Sequence, residues 1–363
     1  MKKLTALLLA LALCLGLAAC GSNQTGSTAD QSATSSVGTS SDASASASTS
    51  QKAEQSSPED TSSDYEGTDV NIAVLSGPTG IGAVGLMEAN DAGETVNNYT
   101  FTVAADNNAV VAGLSNGDYD IAAVATNVAA NLYNKTSGGV QICALNTYGV
   151  LYILENGDSI QSMADLAGKT IYATGQGANP EYVLNYLLTA NGLTPGEDVT
   201  VEYMESDTLM TQMAAGEYEV CMLPVPAVTS VQMQNQDVRI ALDLTEEWNK
   251  VTDEGVLTMG CIVVRTEFAQ ENPEAVKAFL EEYAASIESV QGDVEHASQL
   301  CETYGIVAKA AVAAKAIPDC NLCCVTGSDI QTAIEPYYNV LFEANADSIG
   351  GALPGEDFYF VAE

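Results

Sequence analysis

Short apolar runs of strand length alternate along this chain with stretches whose apolar residues recur at helical spacing, and the alternation begins near residue 70. Asn71-Ile72-Ala73-Val74-Leu75 reads as a buried strand ending in Ser76-Gly77-Pro78 ahead of a helical stretch. Tyr99 to Val103 reads as a second strand and Ala109 to Asn116 as a short amphipathic helix. Gly117-Asp118-Tyr119-Asp120 then turns the chain into a third strand, Ile121 to Val124. The series recurs: Val70 to Ala130 aligns without a gap on Lys169 to Thr229 at a constant offset of 99 residues, most clearly where Gly117 to Val124 overlies Gly216 to Leu223. Each copy predicts βαβαβ. Strands alternating with helices form a parallel sheet with right-handed crossovers and helices on both faces, so the duplication predicts an α/β protein with two parallel-sheet lobes.

Two further apolar runs, ICALNTYGVLYILEN within 141–156 and LTMGCIVVR over 257–265, are placed to be paired strands linking the lobes. The chain then crosses twice, which divides it into 67–156 plus 257–363 as lobe I and 157–256 as lobe II, joined by a two-strand hinge. Pro273 opens the helix PEAVKAFLEEYAASIESV, and further helices near 294–303, 306–316 and 328–343 complete lobe I.

The N-terminal pattern differs in kind. Lys2 and Lys3 precede an apolar stretch from Leu4 to Gly16, and Leu17-Ala18-Ala19-Cys20 closes it with small residues before a cysteine. This reads as a lipoprotein signal over 1–20, with the Cys20 thiol as lipid acceptor; an ordinary secretory signal with a chance cysteine is the plainer alternative. Residues 21–66 are Ser, Thr, Ala, Gln and Gly with almost no large apolar side chain, which predicts a disordered tether. The working body is thus expected at the extracytoplasmic face of a cell membrane, held by a lipid anchor.

Charge narrows the partners. With 48 acidic and 11 basic residues the formal net charge is −37, a surface with no means of attracting phosphate backbones, so nucleic acid is excluded. Beyond residue 20 no apolar run approaches the roughly 18 residues a membrane span needs. Of nine cysteines, Cys14 lies in the signal and Cys143, Cys221 and Cys261 sit inside apolar runs, where a thiol behaves as a small hydrophobe. Cys320, Cys323 and Cys324 form CNLCC, but a single histidine, His296, and no second CxxC leave no tetrahedral set, so no metal is expected. A disulfide between Cys301 and the Cys320 region is left open.

In open parallel sheets ligands bind beyond the carboxyl ends of the strands. Here those ends are Ser76 to Ile81, Thr126-Asn127, Gly175 to Asn179 and Pro224 to Pro226, two loops from each lobe. Glycine-rich turns that open helices bring backbone N–H groups close to an anion or a strong acceptor, although each could equally be a plain strand-to-helix turn. Thr126 and Asn127 offer a hydroxyl and an amide, or serve as cap residues. Tyr148, Tyr152, Tyr182 and Trp248 lie near the loops, with Trp248 read as packing on its own lobe. None of the four loops carries Arg or Lys, which favours a neutral or zwitterionic ligand, or an anion held by backbone dipoles. No nucleophile elbow, zinc helix or phosphate-loop lysine occurs, so the chain does not read as an enzyme and calls for no cofactor.

These residues carry a resemblance. Asp165-Leu166-Ala167-Gly168-Lys169-Thr170-Ile171, Gly175-Gln176-Gly177-Ala178, Asn191-Gly192-Leu193-Thr194-Pro195-Gly196, Ala215 to Val220 and Pro224-Val225-Pro226-Ala227 resemble the solute-binding lipoproteins of ABC importers of the nitrate, sulfonate, taurine and thiamine-precursor type, over about 68–360. The resemblance implies a type II periplasmic-binding-protein fold that closes over its solute and docks, as a monomer, on a permease driven by an ATPase. It implies solute contacts from Ser76, Gly77, Pro78, Thr79, Gly80, Ile81, Thr126, Asn127, Gly175, Gln176, Gly177, Ala178, Pro224 and Val225, with Tyr148 beside them. Such proteins often carry an acid between the two prolines, where this chain has Val225. A solute-sensing lipoprotein uncoupled from transport is one alternative. A thiamine-pyrimidine-synthase-like enzyme is another, although CNLCC lies far along the chain from that family's cysteine motif.

Overall fold

The computed structural model describes residues 65–104, 106–252 and 255–361. The signal, Cys20 and nearly all of the tether lie outside the described residues. Tyr65 already belongs to the body: it is half-buried and its hydroxyl donates to Asn97 Oδ1 at 2.5 Å.

The first copy of the repeat folds as β1 (Asp69–Leu75), α1 (Pro78–Ile81), α2 (Val84–Ala92), β2 (Asn98–Ala104), α3 (Asn107–Asn116), β3 (Ile121–Ala125), α4 (Thr126–Thr136) and β4 (Val140–Tyr148). After β5 (Leu151–Asn156), the second copy gives β6 (Thr170–Ala173), α5 (Asn179–Ala190), β7 (Thr200–Tyr203), α6 (Ser206–Ala214), β8 (Val220–Pro224), α7 (Ala227–Gln234), β9 (Val238–Asp243) and α8 (Leu244–Val251). The chain closes with β10 (Thr258–Arg265), α9 (Thr266–Glu271), α10 (Pro273–Gly292), α11 (Val294–Thr303), α12 (Ala310–Ala316), β11 (Leu322–Thr326) and α13 (Ser328–Asn345). The repeat therefore runs further than the aligned segment, because α4 matches α7 and β4 matches β9.

Two sheets result, ordered β11-β4-β10-β3-β1-β2 in lobe I and β7-β6-β8-β5-β9 in lobe II. Within each, the repeat's own strands run parallel as expected, and one inserted strand is antiparallel to both neighbours: β10 between β3 and β4, β5 between β8 and β9. The sheets are therefore mixed rather than purely parallel. The run over 141–156 is not one linking strand but two, broken at Gly149-Val150: β4 stays in the lobe I sheet, whereas β5, expected in lobe I, pairs with β8 and β9 in the lobe II sheet, so the first crossing falls at Gly149-Val150 and not after residue 156. Tyr148 faces Thr258 where β4 and β10 meet, so the two crossings lie side by side only at the strand ends.

Glycine sets the entry to the site. A Cβ on Gly82 would lie 2.3 Å from Ile287 Cδ1 and 2.7 Å from the Tyr283 hydroxyl, so with glycine here these α10 side chains pack directly on the turn before α2, and a larger residue would displace them. Ser286 Oγ fills the remaining space, donating to Gly82 O at 2.7 Å and accepting from Leu86 N at 2.9 Å. This fixes the loop after β1 against α10. Each sheet also buries one acid with an arginine: Asp120 with Arg265 at 2.8 Å in lobe I, Glu155 with Arg239 at 2.5 Å in lobe II. The seven described cysteines are all free, and Cys143, Cys221 and Cys261 are fully buried in the core. No helix among the described residues is long and apolar enough to cross a membrane.

Candidate functional site

The four strand-end loops meet in two crosswise pairs, and the pairs differ. On one flank the loop after β3 meets the loop after β6. Asn179, the first residue of α5, is fully buried and directs its whole side chain into lobe I. Its Oδ1 accepts from Asn127 N at 3.2 Å and from the Tyr337 hydroxyl at 2.9 Å. Its Nδ2 donates to Thr126 Oγ1 at 2.8 Å and to Met259 O at 2.9 Å, and its own N–H donates to Asn127 Oδ1 at 3.2 Å. Thr126 Oγ1 in turn donates to Thr258 O at 2.8 Å, and Asn127 Nδ2 donates to Ser348 O at 3.3 Å. Burial pushes the Tyr337 phenol up, which keeps it protonated as a donor. Trp248 of α8 closes this flank, its ring 5.5 Å from Tyr337 of α13 and 5.0 Å from Tyr186. It packs across the lobes, not only on its own.

On the other flank the loop after β1 meets the loop after β8. A Cβ on Gly77 would stand 3.9 Å from Pro226 Cδ, so the loops approach through glycine and proline without a side-chain hydrogen bond between them. Beside them opens a groove of about 890 Å³. Lobe I contributes Ser76, Gly77, Pro78 and the segment 305–309, held to the first loop by the Gly77 N–H donating to Ile306 O at 3.0 Å. Lobe II contributes the start of α6, Pro224 to Ala227 and one face of α7. The surface is mainly apolar, with Met210, Met233, Ile306 and Val307, and is dotted with hydroxyls from Ser76, Ser206, Thr211 and Ser230. Two charged side chains line it, Asp207 from lobe II and Lys309 from lobe I.

The residues singled out in the sequence therefore separate. Ser76, Gly77, Pro78, Pro224 and Val225 line the groove, although Val225 is 1% exposed. Thr126 and Asn127 spend their polar atoms within the protein. Thr79, Gly80 and Ile81 face inward: Thr79 O accepts from Asn146 Nδ2, Ile81 is core, and a Cβ on Gly80 would fall 2.0 Å from Leu75 O. Tyr148 is half-buried beside Cys323; burial, then that thiol, raises its phenol pKa. Gly175 adopts φ +80 and packs on Pro180. Gln176 and Gly177 are exposed, and the Gly177 N–H is taken by Glu181 Oε2. Sequence reasoning missed Asn179 as a side-chain donor and the whole segment 305–309 with Lys309. Asn179 was within the quoted loop and, next to Pro180, its amide was the available signal; 305–309 lies outside the repeat and carries none.

Among the described residues no group of three or more His, Cys, Asp and Glu side chains comes together as a metal site. Cys323 and Cys324 are held as thiols by burial, at about 12 and about 11.

Comparison with known proteins agrees with this geometry. The model of a family described as the periplasmic substrate-binding protein of a phosphonate ABC transporter matches residues 94–315. No curated protein matches the sequence. Among solved structures, an ABC transporter protein from Parabacteroides distasonis superposes with a TM-score of 0.68 at 20% identity, covering 81% of this chain and 99% of its own. The periplasmic aliphatic sulphonate binding protein SsuA from Escherichia coli gives 0.63 at 14% identity, covering 79% and 92%. The alkanesulfonate-binding SsuA from Xanthomonas axonopodis pv. citri, bound to MOPS, gives 0.60 at 14%, covering 79% and 94%. At these identities the structures establish a shared two-lobed fold.

Proposed function

The chain belongs to the periplasmic substrate-binding proteins of phosphonate-type ABC transporters, and from that premise we propose that it captures a small organic anion between its lobes and hands it to a permease and its ATPase. The observation that carries this reading is the interlobe groove, with loops of both lobes on its walls and a cation, Lys309, on one of them. Sulfonates, phosphonates, nitrate and thiamine-precursor-like solutes are the classes to test. Apolar side chains interspersed with hydroxyls, with Lys309 on the lobe I wall and Asp207 the one acid on the lobe II wall, suit an anionic head on an organic body when the head lies toward Lys309. The work is binding: solute that touches both lobes stabilises the closed form by its differential contacts, and the closed form is what the permease engages. The lipid on Cys20 and the tether keep the monomeric body near that permease at the extracytoplasmic face.

The test is thermal unfolding of protein that has been unfolded and refolded to strip retained solute, against alkylphosphonates, alkanesulfonates, nitrate, amino acids and thiamine-related pyrimidines. A solute at a hundredfold its dissociation constant adds about 2.7 kcal/mol of stability. Stabilisation by one class of anion, clearly reduced at the same solute concentration when Ser76 and Lys309 are both replaced by alanine, is the expected result. A hit undiminished by that replacement moves the site out of the groove, and silence from every anion against a hit from a cation or neutral solute overturns the anion assignment.

A further inference from the structure

Helices α4 and α5 share an omission. The residue before each is an alanine, Ala125 and Ala178, which cannot cap the free N–H groups of the first turn. Each helix instead takes its cap from the other lobe: Asn179 Oδ1 receives the Asn127 N–H of α4, and Asn127 Oδ1 receives the Asn179 N–H of α5, both at 3.2 Å. Asparagine is among the best capping side chains, and here the caps are exchanged in trans. The Asn179 amide is then completed by Thr126, Met259 and Tyr337, so all of its donors and acceptors are satisfied by lobe I at zero exposure. Separating the lobes on this flank would uncap two helices and expose that amide together.

We infer that Asn179 is a positioning residue that latches the lobes shut on this flank without solute, so that solute enters and leaves through the groove on the other flank alone. Every partner in the latch belongs to the protein, and none is a group that solute must supply. The lobes then turn about the latched flank, and the fraction of protein able to bind is set by the latch, since apparent affinity scales with the competent population. The inference concerns solute-free protein, so a failed solute search leaves it intact.

Hydrogen exchange on solute-free, refolded protein tests it. First-turn amides are unprotected in an uncapped helix, so Asn127 N–H and Asn179 N–H report the latch directly. In the wild type both are expected to exchange at least a hundredfold slower than free peptide. In Asn179→Ala the Asn127 amide should lose at least tenfold of that protection, and in Asn127→Ala the Asn179 amide should do the same. Amides of β1 and α10 should be unchanged in both variants, and the radius of gyration from X-ray scattering should rise. Tyr337→Phe keeps the ring against Trp248 and removes one bond, so it reads the latch even where an alanine variant folds poorly; a smaller loss at Asn127 is expected. Free exchange of both amides in the solute-free wild type, or wild-type protection at Asn127 in Asn179→Ala or Tyr337→Phe, overturns the latch.

Discussion

The two flanks of the cleft are the same piece of backbone used twice. At the repeat offset, Thr126 and Asn127 correspond to Val225 and Pro226, and Asn179 corresponds to Gly80. Where one flank has a hydroxyl and two amides, the other has an isopropyl group, a proline ring and a bare α-carbon. Thr126 and Val225 have nearly the same shape, so that pair differs mainly in the hydroxyl, whereas the Asn127/Pro226 and Asn179/Gly80 pairs also differ in size and backbone freedom. On the polar flank the loops are sewn together by buried bonds; on the apolar flank they come near at Gly77 and Pro226, close enough only for an added Cβ to make van der Waals contact, and a groove opens beside them. The duplicated scaffold thus carries three different side chains at matching positions, hydrogen-bonded across the lobes on one flank and not on the other.

Converting the first flank to the chemistry of the second gives the largest expected effect. Thr126→Val with Asn127→Ala removes the acceptor for Asn179 Nδ2, the donor to Thr258 O and the cap of α5, and leaves buried partners unpaired. A loss of about 3 kcal/mol in urea unfolding is expected, since an orphaned buried group costs about 1–3 kcal/mol and neighbouring losses do not simply add. A loss under about 0.5 kcal/mol would show that these residues only shape turns.

The apolar flank is expected to behave the opposite way. Lys309 is exposed at the groove and makes no ion pair among the described residues, so Lys309→Ala should leave stability within about 0.5 kcal/mol. The affinity for an anionic solute should fall about fivefold, a loss of roughly 1 kcal/mol, and more steeply at low salt. Equal affinity at low and high salt, in wild type and variant alike, would mean that the groove's charge plays no part in binding.

Much of this fold was legible because it is written twice. The gapless offset placed β3 on β8 to the residue and α3 on α6 to within one residue at the C-terminal end, and the strand-end rule located the four loops. Other features were hidden for physical reasons. A strand inserted antiparallel, such as β5 or β10, has the same apolar run as a parallel one, so its sheet and direction are decided by tertiary pairing. The same holds within the loops: Thr126 and Asn127 have the right chemistry for a ligand, and nothing local says that Asn179 reaches them first. Lys309 was illegible because 305–309 reaches the groove through α10 and α11, elements outside the repeat.

The smallest effect expected is one of pH, and it separates the flanks once more. The closed flank holds Thr126, Asn127, Asn179 and Tyr337 and no carboxylate or imidazole among its bonded groups; the Tyr337 phenol is pushed up by burial. Its bonds should be indifferent to pH between about 5 and 9. Lobe I itself is not, because His296 of α11 bonds Glu88 of α2 at 2.8 Å, which raises the imidazole above its ordinary 6.5, with Asp293 acting in the same sense. A histidine whose folded pKa is raised contributes stability that is complete below the unfolded value and is lost as pH rises through the folded one. Both side chains are nearly half exposed, so solvent screens the pair and the loss should stay below about 0.5 kcal/mol. Urea midpoints measured from pH 5.5 to 8.5 should decline slightly in the wild type and stay flatter in His296→Gln. Protection of the Asn127 and Asn179 amides, corrected for intrinsic exchange, should not change over the same range. A pH-dependent opening there would place a titrating group in the closed flank and break the contrast between the two sides.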